Sequence, residues 1–430
     1  MTETPRVLLE RLYWSAVAAA HPSVCLPPRL PAPPPDGKLV ILAAGKAAGS
    51  MAEAAEQFYL DALHVPPEQI TGLAVTRHGY GRPTRVIRMV EAGHPVPDQA
   101  GLDATAEALN LAAAAGPDDL VLVLMSGGAS ANWVAPAAGL TLADKQGVTR
   151  ALLASGAGIG GINTVRKHLS RIKGGRLAAA AYPAPVVTLA ISDVPGDDPA
   201  VIGSGPTVAD STTLADAMAV LTRAGVAMSG PVAQALADPA NETVKADHPA
   251  MAAASFQIVA RPADSLAAAE AAAREAGLEV LMLGDRLEGE ARTVAKVHAR
   301  LAQDLRQRGR RAVLLSGGEL TVTLRGTGRG GPNQEYALAL AIELDKTPGI
   351  TALAGDSDGT DGGGGNPDDP AGAIVDPTTV VRARLRGLDP AAFLANNDST
   401  GFFERLGDLL QPGPTFTNVN DFRAILVGDS

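Results

Sequence analysis

Twice in this chain an apolar run of strand length ends in Ser-Gly-Gly. Leu120–Met125 (LVLVLM) leads into Ser126-Gly127-Gly128-Ala129-Ser130, and Arg311–Leu315 (RAVLL) leads into Ser316-Gly317-Gly318-Glu319. In open α/β sheets, ligands bind at the carboxyl ends of strands, where glycine lets backbone N–H groups close on an anion. Two such ends predict two α/β lobes with a cleft between them. They also nominate Ser126, Gly127, Gly128, Ser130, Gly317 and Gly318 as anion-binding residues, with Asn132 beside the first group.

The rest of the pattern agrees with an α/β class. After an amphipathic first helix (Val7, Leu8, Leu12, Ala16) comes a proline-stiffened connection, CLPPRLPAPPPDG. Strands are expected at 38–43, 71–76, 85–90, 120–125 and 185–191. Helices are expected after the turn at 44–49 through residue 60, and at 99–114, 142–153 and 162–180. Strand alternating with helix predicts a mostly parallel, doubly wound sheet. The polar stretch 238–250, with prolines near both ends, reads as a linker. It divides the chain into domains 1–245 and 246–430, the second opening with a strand at 255–259. Beyond it, strands at 278–283, 311–315, 321–324, 350–354 and 423–427 alternate with helices at 263–276, 288–307 and 334–344.

At 430 residues the chain exceeds what one compact core usually serves. A net charge of −10 argues against a nucleic-acid partner, and 3% aromatic residues leave little material for stacking bases. One cysteine, Cys25, allows no disulfide within the chain and fits a reducing, cytoplasmic setting. The first residues read as a helix rather than a signal peptide, and no apolar run reaches the ~20 residues of a membrane span.

Seven segments could carry chemistry. Lys46, just past a strand and before a helix, would face any anion on that helix N-terminus, although no Walker loop is present. Arg166 and Lys173 recur at helical i, i+7 spacing in the basic segment NTVRKHLSRIKGGR and could attract a carboxylate or phosphate. Asp193, at the end of the strand PVVTLAI, suits a general base toward a hydroxyl or a magnesium ligand. Asp198 reads better as a cap. Gly326, Gly328 and Gly331 match G-x-G-x-x-G and keep a dinucleotide reading alive. Against it, Arg329 lies inside the loop, and with Asn333 and Glu335 it fits phosphoryl chemistry. Asp356 and Asp358, at the end of the strand ITALA, supply hard oxygen ligands for Mg²⁺. His94 reads as structural, and Asp98 as the cap of the next helix.

Taken as a set, AAGKAAGSM, GHPVPD, MSGGASA, INTVRKHLSRIKGGRLA, ISDVPGDDPAVIGSGPT, LLSGGELTV, GRGGPNQEYALALA, AGDSDGTDG and TFTNVNDFRAILV resemble the class II glycerate kinases, whose C-terminal part is the MOFRL domain. The resemblance runs from about residue 41 to 427. It implies a Rossmann-like N-terminal domain, a smaller α/β MOFRL-type domain (region about 311–420) and an active site between them. It further implies phosphorylation of D-glycerate by ATP with Mg²⁺, most simply at the 2-hydroxyl. Lys46 then matches the family's essential lysine, and Arg329 the arginine of the glycine-rich loop. The implied partners are a nucleotide and a small acid, with no membrane and with a homodimer left open. Hydroxypyruvate reductase, using NAD(P)H, is the alternative, and a non-catalytic sensor of small phosphorylated acids is a third reading.

Overall fold

The computed structural model describes residues 3–363 and 366–428, and these divide into two compact units. One is formed by Cys25–Val259. The other takes the chain up to Val24 and again from Ala260 onward.

The Cys25–Val259 unit is built on six strands: Leu39–Ala44 (β1), Ile70–Arg77 (β2), Arg88–Ala92 (β3), Leu120–Met125 (β4), Val186–Ile191 (β5) and Ala254–Ala260 (β6). Their order is β3-β2-β1-β4-β5-β6. Every pairing from β3 to β5 is parallel. β1 and β4 are buried along their whole length, as unbroken Leu/Val/Ala runs covered on both faces must be. The helix Gln99–Ala113 turns Ala104, Ala108 and Ala112 onto the sheet, where small side chains let helix and strands approach closely. The chain starts at β1, winds outward through β2 and β3, then returns to lay β4 on the other side of β1. The carboxyl ends of β1 and β4 therefore flank the switch point, where doubly wound sheets bind their ligands.

Two expectations for this region change. The strand anticipated at 255–259 is β6, an edge of this first sheet, so the boundary lies after it and not near 245. The stretch 238–250 is packed rather than loose: Asn241 Nδ2 donates to Ala235 O at 2.9 Å, and Asn241 and Thr243 are buried. The helix expected over 162–180 is two helices, Ile159–His168 and Arg176–Ala181. Between them Ser170 bridges to Pro136, and Gly174 and Gly175 take positive φ, which an α-helix cannot carry. Arg166 and Lys173 thus do not share a helical face.

The other unit holds Glu279–Glu290 (β7), Ala312–Thr321 (β8), Ile350–Asp356 (β9), Gly372–Val375 (β10), Leu409–Leu410 (β11) and Asp421–Val427 (β12). The order is β11-β10-β9-β12-β8-β7. β7 and β8 run parallel and the other pairings antiparallel, so this sheet is mixed. The first helix, Pro5–Ala19, belongs here. Its stripe Leu9, Leu12, Tyr13 and Ala16 packs with Leu266, Val313, Leu315 and Phe422, and Tyr13 donates its hydroxyl to Asp356 O at 2.8 Å.

Ser316-Gly317-Gly318 does not end a strand. β8 runs through it to Thr321. Gly318 passes with φ +95°, beside irregular pairing to β7, and a Cβ there would overlap the Leu287 backbone. Arg423 donates to Gly317 O at 3.0 Å and Gly318 O at 3.3 Å. Residues 322–325, expected as part of a separate strand, are irregular. No helix among the described residues is long and apolar enough to cross a membrane.

Candidate active site

At the switch point the turns after β1 and β4 are stitched together. Lys46 N donates to Gly127 O at 2.8 Å, and Ala47 N donates to the Ser126 hydroxyl at 2.9 Å. Lys46 then stands immediately before the helix Ala48–Gln57, with its side chain half-buried. Gly128 carries φ +87° and starts the short helix Ala129–Asn132. A Cβ on Gly128 would lie 3.0 Å from His94 Cδ2 and 3.1 Å from Lys46 Cγ. Only glycine lets lysine, histidine and the Ser-Gly-Gly turn close on one point. The strand-end reading of Ser126–Ser130 thus holds for β4, although it fails for β8.

From Gly128 a cavity of about 330 Å³ extends between the His94–Pro97 loop and the helix Leu142–Ala154. His94, Lys145, Arg150, Arg166 and Lys173 line it together with Ser130, and none of its lining residues is acidic. Arg166 and Lys173 meet here after all, from a helix end and from the loop that follows. Lys173 is 1% exposed and donates to Ser130 O at 2.9 Å and Trp133 O at 3.0 Å. Lys145 is buried too, and donates to Arg166 O at 3.2 Å and Leu169 O at 3.0 Å. The Ser130 and Ser204 hydroxyls share a hydrogen bond of 2.8 Å.

The electrostatics follow from burial without countercharge. Burial, and then the nearby Arg166 and Arg176, bring the Lys145 ammonium down to about 7. Burial, and then Lys145 and Arg166, hold Lys173 well below the ordinary lysine range, and burial lowers Arg166. Elsewhere in this unit buried basic side chains do have carboxylates: Lys167 sits 3.3 Å from Asp210, and the His168 ring 3.0 Å from Glu242. An uncompensated cationic cluster around a cavity is the electrostatic form of an anion receptor.

Asp193 stands half-buried two residues past β5, at the same end of the parallel sheet as Lys46 and Ser126. Asp198 accepts from Ala200 N at 2.9 Å, and Asp98 accepts from Gly101 N at 2.9 Å, both as turn or cap residues.

In the other unit the glycine-rich loop differs from a phosphate cradle. Its N–H groups already have acceptors: Arg325 N and Gly326 N donate to Asn397 Oδ1, Thr327 N to Asn396 Oδ1, Gly328 N to Asn396 O, and Arg329 N to Asp398 Oδ1. Asn333 and Glu335, expected to meet ligand, are buried on internal partners. Asn333 Nδ2 donates to Asp421 at 2.6 Å, and Glu335 accepts from Arg292 at 2.6 Å and Asn397 at 2.9 Å. Gly317 and Gly318, inside β8, likewise lend their carbonyls to Arg423 instead of ringing an anion. Arg329 is exposed and pairs with Glu404 at 3.0 Å. Asp356 Oδ1 accepts from Asp358 N at 2.8 Å, and Asp358 Oδ1 accepts from Thr360 N at 2.8 Å and Thr360 Oγ1 at 2.9 Å. Neighbouring Asp361 accepts from both Asn333 and Gln334, and burial still raises it to about 7. Among the described residues no group of three or more His, Cys, Asp or Glu side chains is gathered as a cation cage.

Lys145 is the site residue that the sequence pattern did not single out, and His94, read there as structural, lines the cavity. For Lys145 a signal exists: it sits in the buried stripe Lys145–Val148–Leu152, where an amphipathic helix should place an apolar residue.

Residues 8–237 match the family model described as Domain of unknown function (DUF4147), and residues 312–421 match the MOFRL family. A glycerate 2-kinase of Pyrococcus horikoshii is 40% identical over 91% of this chain and 88% of its own. A D-glycerate 2-kinase of Thermotoga maritima is 39% identical over 89% of each. The crystal structure of a Thermotoga maritima glycerate kinase superposes with a TM-score of 0.85 at 37% identity, covering 98% of both chains. An Agrobacterium vitis protein with the provisional name hydroxypyruvate reductase is 48% identical over 98% of this chain and 94% of its own.

Proposed function

This chain belongs to the glycerate kinases that carry a MOFRL C-terminal part, and from that premise we propose that it moves the γ-phosphoryl group of ATP onto the 2-hydroxyl of D-glycerate. The observation that carries the proposal is the acid-free cavity lined by Lys145, Arg166 and Lys173, next to the Lys46 turn at the switch point. A small carboxylic acid and a phosphoryl group both call for cations held in place before the ligand arrives.

Phosphoryl transfer asks a protein mainly for positioning and charge neutralisation. In the proposed reaction the glycerate hydroxyl oxygen forms a bond to the γ-phosphorus. The bond from that phosphorus to the β–γ bridging oxygen breaks, and ADP leaves. Asp193 orients the hydroxyl and takes its proton. Lys46 neutralises charge on the transferring group, and the Ser126–Ser130 turn offers N–H and hydroxyl donors. Arg166 or Lys173 pairs with the carboxylate. We also assign Arg329 to the phosphates. Its exposed pairing with Glu404 is of a kind that costs little to break. Mg²⁺ would arrive with the nucleotide, whose phosphates supply much of its coordination. Asp193, Asp356 or Asp358 would complete it, and two or fewer carboxylates suffice for that.

The reductase reading draws on the name of the Agrobacterium vitis relative. It depends on a dinucleotide loop, and the N–H groups of residues 325–329 are engaged by Asn396, Asn397 and Asp398. One experiment separates the readings. Supply ATP, Mg²⁺ and D-glycerate, and follow the products by phosphorus NMR. A 2-phosphoglycerate resonance is the expected result. Silence there, with NADH oxidised on hydroxypyruvate, would overturn the kinase.

A further inference from the structure

Resting on the kinase reading of this cavity, we infer that Lys145 is a specificity-determining residue. Together with Arg166 it forms the seat for the acid's carboxylate, and Lys173 serves the neighbouring 2-oxygen that receives the phosphoryl group. The positions of the three cations carry this division. The Lys145 ammonium is tied to the carbonyls of Arg166 and Leu169, at the close of the helix Ile159–His168. The Lys173 ammonium is tied to Ser130 O and Trp133 O, on the turn that begins at Gly128 beside Lys46. Lys145 is thus anchored at the close of the helix that carries Arg166, and Lys173 is anchored on the reacting turn.

Donor counts point the same way. In the charged form, which a bound anion favours, each lysine has three protons and its two carbonyls take two. The third proton of Lys145 and that of Lys173 remain for whatever fills the cavity that both line. The Arg166 guanidinium lines the cavity as well, and among the described residues it donates to no protein acceptor. Its fork geometry suits a carboxylate held through two hydrogen bonds, and Lys145 adds a third donor from the neighbouring helix. Glycerate brings one negative charge to the cavity and its phosphorylated product brings more. Three cations on two anchor points match an acid that keeps its carboxylate and gains charge at the neighbouring 2-oxygen during turnover.

The test is calorimetric binding of D-glycerate and of 2-phosphoglycerate to the full chain, alongside steady-state KM values. The variants are Lys145→Met, Lys145→Gln and Lys173→Met. Losing one charge-assisted hydrogen bond should weaken binding by about ten- to a hundredfold. Lys145→Met should weaken both ligands by a similar factor, because both carry the carboxylate, and should raise KM for glycerate while leaving KM for ATP within about twofold. Lys173→Met should weaken 2-phosphoglycerate by at least about ten times more than glycerate. Lys145→Gln keeps a donor for the carbonyls and guards against loss of folding; it should reproduce the Lys145→Met pattern. If wild-type protein phosphorylates D-glycerate but both Lys145 variants bind it within about twofold of wild type, this inference falls and the kinase reading stands. If wild-type protein makes no phosphoglycerate yet binds 2-phosphoglycerate through Lys145, the kinase reading falls and the carboxylate seat stands.

Discussion

Lys46 and Gly128 are coupled in space, and two substitutions read that coupling differently. Lys46→Ala removes the cation and leaves the turn. Turnover should fall about 10²–10³-fold, the usual effect of deleting one preorganised donor, with the thermal midpoint nearly unchanged. Gly128→Ala keeps every functional group but pushes a methyl against His94 and Lys46 from a left-handed backbone position. Activity should drop by at least about tenfold through misplacement alone, visible as a lower kcat in protein whose circular dichroism matches wild type. The sequence made Lys46, Ser126, Gly128, Arg166 and Lys173 visible because glycine and cations next to strand ends are locally unusual. Lys145 and His94 were not visible in that way. What makes each of them matter is a neighbour distant in sequence, and only the fold supplies it.

At the scale of elements, the same three letters do opposite jobs after β4 and within β8. The difference lies in partners outside the motif: β7 and Arg423 keep β8 extended, and the β1 turn receives the end of β4. An apolar run reports burial, not whether its neighbour is parallel, so the mixed sheet of the second unit was not readable from periodicity. Strand positions within the first sheet were readable to within a few residues, because alternation with helices constrains them. The element-scale prediction concerns Gly318. Gly318→Ala demands a left-handed alanine that collides with Leu287. It should destabilise the chain by about 2 kcal/mol or more in denaturant titration. Because Gly318 is read as structural, activity per folded molecule should persist at low temperature.

For the whole molecule, one buried base contributes a pH dependence of definite sign. His298 shares a 2.8 Å hydrogen bond with the Tyr336 hydroxyl, and burial, then Arg423, lower it from 6.5 to about 4. Between those values the unfolded chain takes up the proton while the folded one does not, so acid favours unfolding. The stability that neutral His298 contributes is therefore lost as pH drops from 6.5 toward 4, and over that window wild type should lose thermal stability relative to His298→Gln. A second whole-molecule feature follows from the helix Pro5–Ala19. It precedes the whole Cys25–Val259 unit in the chain, yet Leu266, Val313 and Phe422, its packing partners, are made only after that unit. During synthesis its apolar stripe has to wait in solvent or on a chaperone while the intervening unit is made. A fragment starting at Ala260 would lack that stripe and expose the groove it fills, and a separately supplied peptide covering the helix should restore the fragment's solubility.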